Sequence, residues 1–199
     1  VRSRRQRQMC IRDRSDTLPR VYLAGPDIFY PDQDARYAWL EALCVKHGLR
    51  GIRPSDGGIH ADEHLAPDAR ASRIYQGNVA HLQSADALLV NLEPFRGAVE
   101  PDSGTVFELG MAVALCKPVA LYLEQAGESL ADRIRAEWGA WPKDNDAGEG
   151  AGPAYDARYR MMIEDFGLPL NLMLAVPALC IESSPEAAAA CLAAHLRRR

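Results

Sequence analysis

Apolar positions along the chain fall into two rhythms. Val21-Tyr22-Leu23-Ala24, Ala87-Leu88-Leu89-Val90 and Val119-Ala120-Leu121-Tyr122-Leu123 are short unbroken runs bounded by polar or turn-forming residues. Runs of this kind, with no alternation, are the mark of strands buried on both faces. Leu49 to Ile52 offers a further short strand. Between the runs the spacing turns helical: Trp39, Leu40, Leu43 and Cys44 form a stripe within residues 34–47, and Gly48 ends it. Further helices are expected over residues 69–83 and 105–116, with a helical piece at 169–174. The last helix is signalled by Ser184 as N-cap, Pro185 at the first position and Glu186 in the positive first turn. Strands that alternate with helices and lack hairpin turns predict a parallel sheet of about five strands with helices on both faces, a flavodoxin-like or Rossmann-like α/β domain.

Two stretches break the rhythm. Residues 54–68 (PSDGGIHADEHLAPD) are rich in turn formers and charge and read as a long loop. Residues 137–155 (EWGAWPKDNDAGEGAGPAY) read as a surface insertion, expected near the mouth of a site or at a subunit contact. Too little chain follows it to build a second domain. The expected organisation is a flexible Arg-rich leader, 1–19, followed by one domain over 20–199.

Charge narrows the partners. The net charge is −4, from 23 basic and 27 acidic residues. Residues 1–20 hold seven arginines and two aspartates, so the remainder carries 16 basic against 25 acidic groups, or −9. A body that acidic repels a phosphate backbone, which argues against a nucleic-acid partner. No apolar run is long enough to predict a membrane span, and the leader has no apolar segment of the secretory kind. The five cysteines are odd in number and without close pairing; Cys44, Cys116 and Cys191 lie in helix-like apolar patterns. That usage speaks against a disulfide scaffold or a four-cysteine zinc site, and for a reducing cytoplasm.

Neither GxGxxG nor GxxxxGK[ST] follows the first strand, so dinucleotide and P-loop readings fail at the motif. The densest chemistry is Glu100-Pro101-Asp102-Ser103-Gly104-Thr105-Val106-Phe107-Glu108, after the 87–90 strand, where doubly wound folds bind ligands. With a helix starting near Ser103, Glu108 sits about 7–8 Å along its axis, among Val106, Leu109 and Val113. That is a costly place for a carboxylate without a task. The plainer reading leaves Asp102 as an N-cap and Glu108 as a surface helix residue, and composition does not separate the two. A carboxylate can attack a sugar carbon bearing an N-glycosidic bond and release the resulting ester to water or another base. His60-x-x-x-His64 has metal-pair spacing but lies in loop sequence, and Ser103 has no GxSxG context.

Four ordered blocks carry a resemblance: VYLAGPDIF at 21–29, NVAHLQSADALLVNLEPFRG at 78–97, EPDSGTVFELGMAVALCKPV at 100–119 and EDFGLPLNLML at 164–174. Together they resemble the nucleoside 2-deoxyribosyltransferase family over most of residues 21–175. The resemblance implies Glu108 as the nucleophile that attacks C1′ of deoxyribose. It implies Asp102 as the carboxylate binding the sugar 5′-hydroxyl and Tyr22 as the residue steadying the nucleophile. Gly25, which closes the first block's strand, becomes a substrate-binding position. Asn171 is implied to reach the site of a neighbouring subunit, with Met173 beside it, so a homo-oligomer with shared sites is expected. The implied partners are nucleosides and nucleobases, and no metal or organic cofactor is implied.

The sequence departs from the family at Asn78, where some relatives carry a carboxylate that helps protonate the departing base. An amide cannot deliver a proton, and such help is worth about 10²–10⁴-fold. The candidate substitutes are Asp56, Asp62 or a water; Asp56, in the loop after the second strand, is the expected one, against a plain role in a turn. A neighbouring class of the superfamily hydrolyses 2′-deoxynucleoside 5′-monophosphates with a serine where Asp102 stands. Asp102 at a helix start repels a phosphate dianion and suits a neutral hydroxyl, which favours nucleosides. The expected function is 2′-deoxyribosyl transfer between nucleobases. An N-glycosidase of nucleosides or 5′-monophosphates and a non-catalytic nucleoside-binding protein stand as the alternatives.

Overall fold

A computed structural model describes residues 18–54, 64–141 and 153–198. Five strands, β1 (Arg20–Ala24), β2 (Arg50–Ile52), β3 (Ala87–Asn91), β4 (Val119–Tyr122) and β5 (Cys180–Glu182), form one sheet in the order β2-β1-β3-β4-β5. All four pairings are parallel. The order is that of flavodoxin-like folds, and it reverses direction between β1 and β3, where such sheets open a crevice at their carboxyl ends.

Among the described residues six α-helices surround the sheet: α1 (Gln33–Lys46), α2 (Pro67–Ser84), α3 (Ser103–Ala114), α4 (Leu130–Trp138), α5 (Leu172–Ala175) and α6 (Pro185–Leu196). Because strand side chains alternate between faces, two core layers result. On one face Val21, Leu23, Ala87, Leu89, Ala120 and Tyr122 meet α1 (Tyr37, Leu40, Leu43, Cys44) and α6 (Ala188, Ala189, Leu192, Ala193). On the other, Tyr22, Ala24, Leu88, Val90, Val119 and Leu121 meet Leu82 of α2, Leu109 and Ala112 of α3, and Leu174 of α5. The central strands are buried on both sides, which is why their sequences are unbroken apolar runs.

The boundaries follow local chemistry. Ser184 caps α6, its hydroxyl accepting from the Ala187 amide, with Pro185 at the first position as expected. Two elements go beyond the sequence reading. Helix α4 is capped by Ser129, which accepts from the Asp132 amide. β5 is a three-residue edge strand with no fully buried residue. The first part of the 137–155 stretch is the end of α4. Next to it Ala140 bridges Asp156, and Tyr155 bridges Met162, in small antiparallel contacts. The leader up to residue 17, the expected acid Asp56, its alternative Asp62 and His60 lie outside the described residues. Among the described residues no helix is long and apolar enough to cross a membrane.

Candidate active site

At the carboxyl end of β1 the chain turns through Gly25 into a 3-10 turn, Pro26–Phe29. Gly25 has no room for a side chain: a Cβ there would lie 2.6 Å from Asn91 Cβ and 2.9 Å from Asp27 Oδ2. Those two neighbours hold each other, Asn91 Nδ2 donating to the buried Asp27 carboxylate across 2.8 Å. The ends of β1 and β3 are thereby tied at the point where the sheet order reverses.

Across the crevice, α3 begins with Asp102 as its N-cap. Asp102 Oδ2 accepts from the Thr105 amide at 2.9 Å and from the Thr105 hydroxyl at 3.0 Å. Asp102 Oδ1 makes no hydrogen bond among the described residues. Gly104 lets this cap close, since a Cβ there would stand 3.1 Å from Oδ2. A turn and a half further along α3, Glu108 meets the sheet: Tyr22 Oη donates to Glu108 Oε1 across 2.6 Å. Tyr22 is fully buried in β1 and Glu108 is half-buried.

The electrostatics follow from that placement. Burial pushes the Glu108 carboxyl up to about 7, against the opposing pull of the Tyr22 hydrogen bond, with the nearby Asp102 charge adding to the rise. Burial, and then the Glu108 charge, drive the Tyr22 hydroxyl far above its usual range, so it stays a donor. Glu108 is thus placed to change protonation near neutral pH, with one oxygen held by Tyr22.

Between these groups lies a cavity of about 400 Å³. Gly25, Asn78, Asp102 and Glu108 all line it, so four of the expected residues converge, and Tyr22 joins them through Glu108. The remaining wall is apolar and aromatic: Phe29 from the 3-10 turn, Ile74, Tyr75, Val79 and Leu82 from α2, and Phe107 from α3. Tyr75 and Phe107 face each other with ring centroids 6.3 Å apart. Sequence reasoning missed this wall, although Ile74, Tyr75, Asn78, Val79 and Leu82 recur at the helical spacing that would have shown it.

Asn171 and Met173 are elsewhere. Asn171 caps α5, its Oδ1 accepting from the Met173 amide at 2.9 Å, and its Nδ2 donates to Glu164 at 3.3 Å. Neither residue lines the cavity of its own chain, and Met173 is 71% exposed. Among the described residues no metal-capable group of three or more His, Cys, Asp or Glu side chains falls in this cavity.

Comparison with known proteins places this geometry. The sequence profile described as nucleoside 2-deoxyribosyltransferase matches residues 21–173, which spans every strand and helix that shapes the cavity. The chain belongs to the nucleoside 2-deoxyribosyltransferase family. An uncharacterised protein of Schizosaccharomyces pombe is 32% identical over 161 residues, covering 78% of this chain and 75% of its own. A solved 2-desoxiribosyltransferase from Leishmania mexicana superposes with a TM-score of 0.65 at 29% identity, over 89% of this chain and 98% of that one. A conserved protein of Enterococcus faecalis V583 shares the fold at 17% identity, with a TM-score of 0.57 over 90% and 99% of the two chains. Within the nucleoside 2-deoxyribosyltransferase family, the all-parallel five-stranded sheet expected from the sequence is therefore the fold observed.

Proposed function

We propose that this protein transfers 2′-deoxyribose between nucleobases through an ester on Glu108. The observation that carries the reading is the Tyr22–Glu108 hydrogen bond at the floor of a cavity that also holds the Asp102 cap. Ionised Glu108 attacks C1′ with the oxygen that Tyr22 leaves free. The C1′–O bond forms, the C1′–N bond breaks, and its electron pair departs on the base nitrogen, which takes up a proton. A second base then attacks C1′, loses its proton, and restores the carboxylate. Asp102 Oδ1 accepts a hydrogen bond from the sugar 5′-hydroxyl, and the flat apolar wall receives the base by stacking. Asn78, which lines the cavity, orients the ring by its amide. Proton delivery to the leaving base falls to Asp56 or to water.

A hydrolytic reading follows the same first step and differs in the acceptor. It is favoured by one observation: Phe29, Tyr75 and Phe107 are each more than half exposed in the single chain, so water reaches the ester from the cavity mouth. Incubation with deoxyinosine, with and without adenine, separates the two. Deoxyadenosine formed only with adenine present supports transfer. Hypoxanthine released at one rate in both, without deoxyadenosine, overturns it for purines in favour of hydrolysis. Tight nucleoside binding with neither product marks a binding protein.

A further inference from the structure

On the face of the sheet away from the cavity, β5 and α6 bring together three side chains of a different chemistry. Cys180 and Glu182 are alternate residues of β5, so both project to the same side. Their strand partners Ala120 and Tyr122 identify that side as the layer covered by α6. From α6 comes Cys191, between buried Ala189 and Leu192. The two Sγ atoms and one Glu182 oxygen all lie within 4.8 Å of one another, and each residue is half-buried. Among the described residues no cation pairs with Glu182. Two thiols, hydrogen-bonded to each other, and a carboxylate thus converge as three donors of metal-ligating type.

We propose that Cys180, Glu182 and Cys191 bind one divalent cation of the zinc class, with water in the fourth position. The donor set chooses the metal. Two sulfur ligands exclude magnesium and calcium, which take oxygen, and favour a borderline-soft ion with tetrahedral preference. Zn–S bonds of about 2.3 Å and Zn–O bonds of about 2.1 Å set tetrahedral ligand atoms roughly 3.5–3.8 Å apart. The three donors stand within 4.8 Å of one another, so they need to draw together by roughly 1 Å to reach that spacing. Binding displaces two protons, one from each thiol, and leaves a singly negative cluster with water as the fourth ligand or a doubly negative one with hydroxide. The two thiols are also close enough to invite oxidation, but a disulfide has no use for the carboxylate, whereas a metal does. Filled, the site fastens the short edge strand β5 to α6 and leaves the Glu108 cavity, on the other face, untouched.

The test uses the reduced full-length protein after chelator treatment, titrated with zinc(II) and, in parallel, with cobalt(II) as a spectroscopic probe. Expected are one ion per chain, a sulfur-to-cobalt charge-transfer band, protection of two thiols from a thiol reagent, and a rise in Tm with zinc that follows mass action. Cys180→Ser and Cys191→Ala, each checked for folding by circular dichroism, should lose the band and the protection. Glu182→Gln should keep the band but bind more weakly. Stoichiometric binding that survives both cysteine substitutions would place the ion elsewhere and overturn the proposal. So would the absence of binding at micromolar zinc, or a Cys180–Cys191 disulfide that persists in the reduced preparation.

Discussion

Tyr22 Oη and Glu108 Oε1 meet at 2.6 Å, joining a residue in the centre of the sheet to one in the helix that follows β3. The bond favours the ionised carboxylate, while the burial that comes with it favours the neutral acid, and burial prevails. The nucleophile assigned to Glu108 is therefore balanced near neutrality rather than fully charged.

The first consequence is a pH profile. The rate should rise as Glu108 loses its proton, with a midpoint at about 7. Tyr22→Phe removes a hydrogen bond that favours the charged form, so the rising limb should move to higher pH and the plateau should fall. Kinetics across pH 5–9 check this, and an unshifted limb in Tyr22→Phe would separate the tyrosine from the nucleophile.

Glu108 also links pH to stability. Its folded pKa lies above its unfolded one, so its favourable contribution is full below about 4.5 and is lost as pH rises through about 7. Glu108→Gln removes the ionisation. Activity should drop by roughly 10⁴-fold or more, while Tm at pH 8 should exceed that of the parent, by roughly 2–4 °C for each kcal/mol relieved. At pH 4 the gap should close. Thermal melts at the two pH values check the sign.

Asp102 caps α3 with Oδ2 on Thr105, and its Oδ1, which makes no hydrogen bond among the described residues, is the oxygen assigned above to the sugar. Asp102→Ser keeps an N-capping oxygen and removes the charge, so stability should change by less than the ~1 kcal/mol that loss of a cap costs. The preference for deoxynucleosides over their 5′-monophosphates, measured as a ratio of kcat/KM, should fall by about tenfold or more, because the helix N-terminus then faces the phosphate without a competing anion. An unchanged ratio would remove Asp102 from 5′-recognition.

Gly25→Ala should be costly well beyond its size. The added Cβ would meet Asn91 Cβ at 2.6 Å and Asp27 Oδ2 at 2.9 Å, in the pair that ties β1 to β3. Overpacking of this kind costs about 1–3 kcal/mol, and the displaced loop forms part of the cavity wall. Denaturant melts should show the loss together with a raised KM.

Whether sites are shared between subunits can be tested by complementation. Asn171→Ser keeps a capping oxygen for α5, sets no new charge beside Glu164, and removes the amide offered to a neighbour. Mixed with Glu108→Gln, it should regain activity if Asn171 serves the cavity of a second copy. Sedimentation should then show an oligomer. No gain from a mixture whose subunits exchange would make each cavity complete in its own chain.

Much of this was readable before any coordinates. The runs of β1, β3 and β4 are unbroken because those strands are covered on both faces, and the Ser184-Pro185 cap of α6 is a purely local signal. β5 escaped because its three half-buried residues make no run. Helix α4 escaped because Arg133 interrupts its buried face, only 5% exposed and donating to the Pro169 carbonyl. Asp102 and Glu108 were legible together because six residues of one helix start place them. The Tyr22–Glu108 contact spans 86 positions, and only the family resemblance pointed to it. Cys180 and Cys191 form no spaced motif, since one comes from a strand and the other from the helix after it.

The cavity divides its work between two helices. Chemistry is assigned to α3, where Asp102 and Glu108 are fixed by a cap and by a strand tyrosine. Helix α2 contributes Ile74, Tyr75, Asn78, Val79 and Leu82 to the wall, the side assigned to the base. Only Leu82 of α2 is fully buried in the core beneath. Exchanging Tyr75 or Val79 for larger or smaller side chains thus alters the space for a base while leaving the nucleophile and its support in place. A lineage can change which rings the cavity admits by drift along one helical face, and an engineer can reshape it there without rebuilding the end of α3.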